Sequence, residues 1–318
     1  MREIIGAEIC VTEITKPPVQ YPAVCLISVA SSLGAVAALG VPSLGYELAY
    51  RFYGRSVAIV GSVARTRLRE TPEFVDMKRK LNHERAKLKL NQESDYAEIT
   101  RIKQQIKKCG KEKIGKETIG AYIIVQCGWP LSFYLAYMYF NPLLKTTYGY
   151  SAEDVLYHNF LLSILLCVIN ASLGVLSYKI HSLKILKVRV TSFLMLAVLL
   201  PFFISFSTHY YHIFLLQSLL LVGAVGAHPA DSVFLTHFPV LKRFTTASFI
   251  YALSRALIYV ITLFGLVYLT EWFGYYGLWI ITLPITVSFL WGIHHFETLE
   301  RRSRALPSLK TSSSLAAA

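Results

Sequence analysis

The stretch VLYHNFLLSILLCVINASLGVLSY, residues 155–178, contains no Asp, Glu, Lys or Arg. A helix needs about 20 predominantly apolar residues to cross the hydrocarbon core of a bilayer. Further charge-free runs cover residues 17–46, 118–144, 190–230 and 272–296, and the run 244–270 contains only Arg255. This pattern predicts an all-α protein built from membrane-spanning helices.

The lengths of these runs predict about eight complete spans. Residues 190–230 are long enough for two helices, 190–207 and 210–229, with a turn at the polar residues 205–209. The weakest span is 49–64, because Arg51 and Arg55 flank or enter its short apolar core. An arginine at a helix centre costs about 2.5–3.5 kcal/mol on insertion scales, and this cost falls when the side chain reaches the interface.

Composition excludes an ordinary soluble domain. Of the 318 residues, 54% are hydrophobic and 16% are charged, whereas a soluble domain carries about 25% charged residues. The net charge is +13, but residues 65–118 hold 16 of the 32 Lys and Arg. A nucleic-acid-binding protein would instead present its basic residues over one face of a globular fold. We therefore predict no nucleic-acid partner and expect the lipid bilayer to surround the chain.

The distribution of basic residues predicts the orientation of the helices. Lys and Arg concentrate at 65–116, 179–189, 242–243 and in the C-terminal tail, and the connections between these segments carry few positive charges. Cytoplasmic loops carry the excess of Lys and Arg, so the 65–118 loop and the C-terminus are expected in the cytoplasm. The predicted organisation is two spans and a helix end at 1–64, a charged loop at 65–118, six helices at 119–296 and a tail at 297–318.

No motif for catalysis or metal binding is present. The five cysteines are scattered without a C-x-x-C pair, the nine histidines form no spacing typical of a metal site, and neither G-x-S-x-G nor a phosphate-binding glycine loop occurs. A membrane-embedded enzyme would need His, Asp or Cys clustered at one depth, and the sequence indicates no such cluster. We therefore predict neither an enzyme nor a cofactor nor a metal.

Three short motifs occur in the order found in one transporter family: Glu3-Ile-Ile-Gly6-Ala7-Glu8-Ile-Cys-Val-Thr-Glu13, Arg69-Glu70-Thr71-Pro72-Glu73-Phe74, and Phe238-Pro239-Val-Leu-Lys242-Arg243. They resemble the fourth helix, the end of the sixth helix and the loop between helices ten and eleven in the major facilitator superfamily. The resemblance is to its metabolite/proton symporter branch, which includes bacterial proline/betaine transporters.

The resemblance implies a specific alignment. The eight predicted spans would correspond to helices five to twelve, so the chain looks N-terminally truncated and 1–64 would be the remnant of the N-terminal half. The segment 174–182 departs from the family's gate signature. Tyr178 occupies the position at which the family has an aspartate, and Lys179 follows it.

The resemblance also implies a function. It indicates proton symport of a small zwitterionic or polar metabolite, such as proline or glycine betaine, across the bacterial inner membrane. Two alternatives remain at this point: an organic-acid symporter for citrate or α-ketoglutarate, and a truncated remnant that does not transport. A separate chain could supply the missing N-terminal helices.

Ionisable residues at membrane depth are candidates for proton coupling. Glu3 is the first candidate by resemblance, and Glu8 lies on the same predicted helix. Glu13 fits a helix-end cap as well as a coupling role. Asp231 is expected near the interface, and Arg255 either pairs with Asp231 or extends to the membrane surface.

Substrate contacts are expected from aromatic residues of the span 118–144, and gate contacts from the loop motifs. Aromatic faces bind quaternary ammonium groups with about 0.5–2 kcal/mol, although aromatic residues also serve packing and interfacial belts. The substrate candidates are Trp129, Tyr134 and Tyr137. The gate candidates are Arg69, Glu70, Thr71, Pro72, Lys179, Pro239 and Arg243.

Overall fold

The computed structural model describes residues 2–43, 75, 76, 79 and 114–315, and every regular element in these ranges is helical. Two helices precede the charged loop and nine follow it in the described ranges. Their bounds are α1 Arg2–Ile14, α2 Gln20–Ser43, α3 Lys116–Phe133, α4 Phe140–Tyr148, α5 Ala152–Lys179, α6 Ser182–Phe206, α7 Tyr210–Gly223, α8 Asp231–Thr236, α9 Val240–Val260, α10 Leu266–Phe273 and α11 Gly277–Leu315. Two π-helical segments, Tyr134–Tyr139 and Ile261–Gly265, join α3 to α4 and α9 to α10.

Five helical segments are long and apolar enough to cross a membrane: Gln20–Gly40, Lys116–Tyr148, Ala152–Lys179, Ser182–Phe206 and Val240–Ser303. The predicted class, an all-α membrane-embedded protein, is thereby confirmed. The count of eight spans stays a prediction, because the span at 49–64 lies outside the described residues. Helix α7 is apolar but contains only 14 residues.

Large apolar side chains cover the outer faces of the helices. A water-soluble monomer rarely exposes contiguous apolar patches of more than a few hundred Å², because water penalises them. The exposed side chains include Phe206, Trp272, Val175, Val188, Leu26 and Phe249, with exposed fractions from 66% to 78%. Hydrocarbon tails are the solvent that suits such a surface.

The segment Val240–Ser303 contains a tight reversal rather than one long helix. Gly274 has φ +58, a left-handed conformation that glycine adopts without a steric penalty. A Cβ on Gly277 would lie within clashing distance of the Leu269 carbonyl, and a Cβ on Gly265 would lie 2.7 Å from Ile281. These pairings place α10 antiparallel to the beginning of α11.

Helix α2 packs antiparallel to α5. A Cβ on Gly40 would lie 2.7 Å from the ring of Phe160, and the Asn170 amide donates to the Ser32 hydroxyl at 2.7 Å. Small residues on α2 permit the close approach that membrane helices need, because lipid supplies no hydrophobic force to join them. The N-terminal helices are thus attached to the helices that follow residue 114.

Helix α3 lies inside the bundle between α9 and α11. Its Gly128 faces Phe289 of α11, and Thr118 hydrogen-bonds His295 of α11 at 3.1 Å. On the other side, the Cys127 thiol contacts the Ser254 carbonyl of α9 at 3.8 Å. Residues of α3 can therefore contribute to a site shared by several helices.

Three connections differ from the sequence prediction. The predicted basic loop 179–189 is only a short turn, so Lys184, Lys187 and Arg189 lie in the first turns of α6. Helix α7 ends at Gly223 instead of 229, because Gly226 and Pro229 interrupt the helix. The predicted tail continues α11 as far as Leu315. The proposed domain boundaries, including the loop 65–118, are otherwise predictions that these helices leave open.

Candidate functional site

Two carboxylates and a histidine meet inside the bundle. Glu8 of α1 and Asp231 of α8 are 2% and 3% exposed, and His228 precedes α8 by three residues. One carboxylate oxygen of each acid and a ring nitrogen of His228 all lie within 4.8 Å of one another. His228 Nδ1 contacts Asp231 Oδ2 directly. We call these three residues the acid–histidine cluster.

The cluster sits where the chain leaves the helical conformation, at residues 224–230. Gly226 and Pro229 interrupt the run of helix-forming residues, which explains why α7 ends early. Non-helical backbone at membrane depth requires partners inside the protein. Ser132 of α3 provides one, because its hydroxyl accepts from the Val225 N–H at 2.8 Å and donates to the Val225 carbonyl at 3.3 Å.

Arg189 supplies the other support for this broken segment. Its Nε donates to the Val222 carbonyl at 3.2 Å, and its Nη1 donates to the His228 carbonyl at 3.0 Å. Both carbonyls lack the helical partner that a continuous α7 would give them. The break is therefore held in a defined shape by side chains from α3 and α6.

A second arginine, Arg255 of α9, acts electrostatically on the cluster. Its guanidinium carbon lies 4.2 Å from the centroid of the Tyr251 ring, a cation–π arrangement. Arg255 and His228 act on Glu8 as positive neighbours, whereas Asp231 acts on it as a negative one. The predicted ion pair between Arg255 and Asp231 is absent from the described residues, because Asp231 instead pairs with His228. The side chain of Asp231 is buried inside the protein, and its expected position near the membrane interface stays a prediction.

The geometry of the cluster suits a metal ion, whereas the charges around the cluster suit a proton. One histidine and two carboxylates could hold a divalent transition metal. Two guanidinium groups, those of Arg255 and Arg189, act on the cluster as positive neighbours. Both would repel a divalent ion bound there, and burial strengthens that repulsion. The arrangement suits a proton better than a metal.

A buried ion pair joins the end of α1 to the beginning of α9. Arg243 Nη1 donates to Glu13 Oε1 at 2.7 Å, and the two side chains are 8% and 2% exposed. Arg243 Nε also donates to the Phe238 carbonyl at 3.2 Å. Pro239 is the residue that precedes α9. The sequence placed Glu13 and Arg243 in two separate motifs, and the structure brings them together.

An aromatic cavity of about 370 Å³ lies between α2, the α3 region, α5 and α9. Its volume falls in the range of sites for small molecules. Trp129 and Tyr137, two of the three aromatic candidates, line it, whereas Tyr134 does not and donates to the Leu263 carbonyl at 3.5 Å. The polar lining consists of Ser31, Ser32, Asn159 and Ser163.

The wall that carries Tyr137 is π-helical. Such one-turn segments are frequent at functional sites, because they rotate side chains out of the α-helical register. The Gln217 amide of α7 donates to the Ala136 carbonyl in this segment at 2.6 Å, and its oxygen pairs with His158 at 2.7 Å. These contacts fix the π segment against α5 and α7.

The cavity and the acid–histidine cluster are neighbours. The indole of Trp129 lines the cavity and packs on Gly226, two residues before His228. Tyr259 also lines the cavity and follows Arg255 by one helical turn on α9. A ligand in the cavity could therefore influence the charges of the cluster through α9 and the broken segment.

The remaining predicted site residues contribute little that can be described. Lys179 is exposed at the end of α5. Arg69, Glu70, Thr71 and Pro72 lie outside the described residues, as does the side chain of Glu3.

Sequence reasoning missed His228 and Arg189 as members of the site. Asp231 is only three residues from His228, but Glu8 is more than two hundred residues away and Arg189 is 39, so no local spacing indicates that these four residues meet. The available signal was the Gly226 and Pro229 interruption within an apolar run.

Comparison with models of known protein families gives no match, and comparison with curated proteins gives none either. The functional argument therefore rests on the residues and their geometry.

Proposed function

We propose that the chain is a secondary transporter of the major facilitator type that couples proton movement to uptake of a small zwitterionic or polar metabolite. Proline and glycine betaine are the leading substrates. The observation that carries the proposal is the acid–histidine cluster buried at a broken helix beside an aromatic cavity. In this proposal the protein resides in the bacterial inner membrane with the 65–118 loop and the C-terminus in the cytoplasm.

The cluster supplies the proton site. Two buried carboxylates within 4.8 Å of a histidine nitrogen favour sharing a proton, because burial penalises every uncompensated charge. Gain or loss of that proton changes the charge balance with Arg255 and Arg189. A transporter needs this kind of group, since the ligand state must bias one of two conformations.

The cavity supplies the substrate site. The aromatic faces of Trp129 and Tyr137 suit a cationic amine, and the exposed hydroxyl of Ser31 can donate a hydrogen bond to a carboxylate. Asn159 Oδ1 is buried and accepts no hydrogen bond from the described part of the chain, although its amide nitrogen donates to Asn141 at 3.1 Å. The amine of proline could donate to this oxygen, whereas the quaternary amine of betaine could not.

The Glu13–Arg243 ion pair supplies a closing contact in the proposed cycle. It joins the end of α1 to the beginning of α9, and α9 also carries Arg255 and Tyr259. Separation of α1 from α9 would open one side of the cluster and cavity together. Reformation of the pair would close that side.

Uptake into proteoliposomes under an imposed pH gradient tests the proposal. Wild-type protein is expected to accumulate labelled proline or betaine when the outside is acidic, and an uncoupler is expected to abolish the accumulation. The variant Glu8→Gln should lose accumulation driven by the gradient but retain exchange of labelled for unlabelled substrate. Glu153→Gln, which removes an exposed carboxylate at the start of α5, serves as the matched control. Gradient-driven accumulation by Glu8→Gln at the wild-type rate would refute the assignment.

Asn159→Ala separates the two leading substrates. If Asn159 accepts a hydrogen bond from the substrate amine, the variant should weaken proline uptake and leave betaine uptake near the wild-type value. Equal losses for both substrates would mean that the residue acts only on the shape of the cavity.

Organic acids are the second candidate substrates. Arg255 Nε is buried and has no hydrogen-bond partner among the described residues, and an arginine fork is well suited to a carboxylate. Citrate and α-ketoglutarate therefore belong in the same uptake series. Uptake of these acids without uptake of proline or betaine would favour this alternative.

A further inference from the structure

A second cavity of about 410 Å³ opens on the outer face of the bundle, between α5, α6 and the end of α7. Its walls are almost entirely apolar, and Val168, Leu176 and Val188 among them are exposed. Two basic residues, Lys184 and Arg189, also belong to the lining. We call this cavity the outer groove.

The groove has the length of one membrane leaflet. Its lining on this side extends from Val168 of α5 to Ile180, the residue that follows α5, and twelve rises of 1.5 Å make this about 18 Å. Half of the hydrocarbon core measures about 15 Å. The groove therefore runs from the α5–α6 turn to about the middle of the bilayer, as one acyl chain would.

Positive charge is concentrated at the end of the groove that faces the membrane surface. Lys184 lines the groove, and Lys179 ends α5 one residue before Ile180. Neither ammonium has a carboxylate within ion-pair distance in the described ranges, whereas the nearby Lys187 is 3.9 Å from Glu297. Both lysines are exposed, so a ligand can reach them.

We propose that the outer groove binds one anionic phospholipid, with an acyl chain along α5 and the headgroup phosphate at Lys184 and Lys179. Basic pockets between membrane helices bind anionic headgroups in this way. An apolar partner helix would not use the two lysines, and a zwitterionic lipid would gain less from them. The bound lipid would also touch Arg189, which holds the carbonyls of Val222 and His228.

Native mass spectrometry of the purified, delipidated full chain tests the proposal. Phosphatidylglycerol and phosphatidylcholine with identical acyl chains are titrated separately, and the dissociation constant of the first bound lipid is measured. We expect phosphatidylglycerol to bind at least fivefold more tightly. Each lysine near the surface contributes about a fivefold factor, so Lys184→Gln should weaken phosphatidylglycerol binding about fivefold and leave phosphatidylcholine binding nearly unchanged.

Two controls make the result specific. Lys145→Gln removes an exposed lysine at the end of α4, outside the groove, and should change neither affinity. Val188→Trp fills the groove and should weaken binding of both lipids, whereas Val198→Trp, on an exposed position farther along α6, should weaken neither.

Three outcomes would overturn the proposal. The first is equal affinity for the two lipids. The second is a loss in Lys184→Gln no larger than that in Lys145→Gln. The third is a lipid-free dimer that Val188→Trp dissociates, since this would make a second copy of the chain the occupant of the groove.

Discussion

Removal of one partner from the Glu13–Arg243 pair should destabilise the protein strongly. In Glu13→Gln, the guanidinium of Arg243 stays buried at 8% exposure and loses the carboxylate oxygen 2.7 Å away, although it keeps its other contacts, the Phe238 carbonyl among them. Loss of one member of a buried ion pair costs about 3–5 kcal/mol, because the remaining charge is uncompensated. We expect Glu13→Gln to fall in this range.

The double variant Glu13→Leu/Arg243→Met should be far less affected than either single variant. Glu13 Oε2 is buried and has no hydrogen-bond partner among the residues that the structure describes, so hydrogen bonds offset only part of the desolvation cost of the wild-type pair. Replacement of incompletely satisfied buried pairs by apolar residues is often neutral or even stabilising. The double variant is therefore expected within about 1 kcal/mol of the wild type.

Unfolding in mixed detergent micelles at increasing denaturing-detergent fraction measures these differences as free energies of unfolding. A double-mutant cycle with the single variants Glu13→Leu and Arg243→Met gives the coupling energy of the pair. Glu297→Gln, which removes an exposed partner of Arg301 at 2.7 Å, is the control and should cost less than about 1 kcal/mol. A cost for Glu13→Gln as small as that of the control, or additive losses in the double variant, would refute the reasoning.

Three further variants test the hydrogen bonds, packing and aromatic contact on which the proposed site depends. Ser132→Ala should cost about 1–3 kcal/mol of unfolding free energy, because it leaves the buried N–H of Val225 unsatisfied. Gly128→Ala should cost about 1–3 kcal/mol, because its Cβ would lie 2.7 Å from the Phe289 ring in a filled core. Trp129→Ala should raise the KM for betaine uptake by roughly 2- to 30-fold, the range that 0.5–2 kcal/mol of cation–π energy gives.

Matched variants accompany each of these measurements. Ser218→Ala loses a hydrogen bond only to its own helix and should be nearly neutral. A Cβ on Gly120 meets nothing within 4 Å, so Gly120→Ala should be neutral or slightly stabilising. Trp129→Phe retains an aromatic face and should keep part of the affinity. Losses in a control that equal those in its test variant would contradict the corresponding argument.

The helices could be predicted because the apolar composition of each one is visible within a single short stretch of sequence. A charge-free run of membrane length indicates that its residues avoid water, and α5 illustrates this from Val155 to Tyr178. Its start is also local, since Ser151 and Asp154 form a capping box with a 2.6 Å side-chain contact. The helical class therefore follows from composition along short windows of sequence.

The contacts between helices could not be predicted in the same way. Asp231 lies in a stretch that resembles a helix end at the interface, and only the fold shows that α1 and the broken segment bury it beside Glu8 and His228. Arg255 had one plausible acidic partner in sequence, and the ring of Tyr251 occupies that role instead. Which side chains of two apolar helices meet depends on how each helix is rotated about its own axis. Hydrophobic periodicity barely constrains that rotation when nearly every face of the helix is apolar.

The break at residues 224–230 has a consequence for biosynthesis. A ribosome delivers the chain from its N-terminus, and domains fold in that order. Ser132 and Arg189, the side chains that complete the hydrogen bonds of this break, both precede it in the chain. When residues 222–228 leave the ribosome, Ser132 and Arg189 have therefore already been synthesised. The side chains that replace the missing helical partners are thus present before the peptide groups that need them.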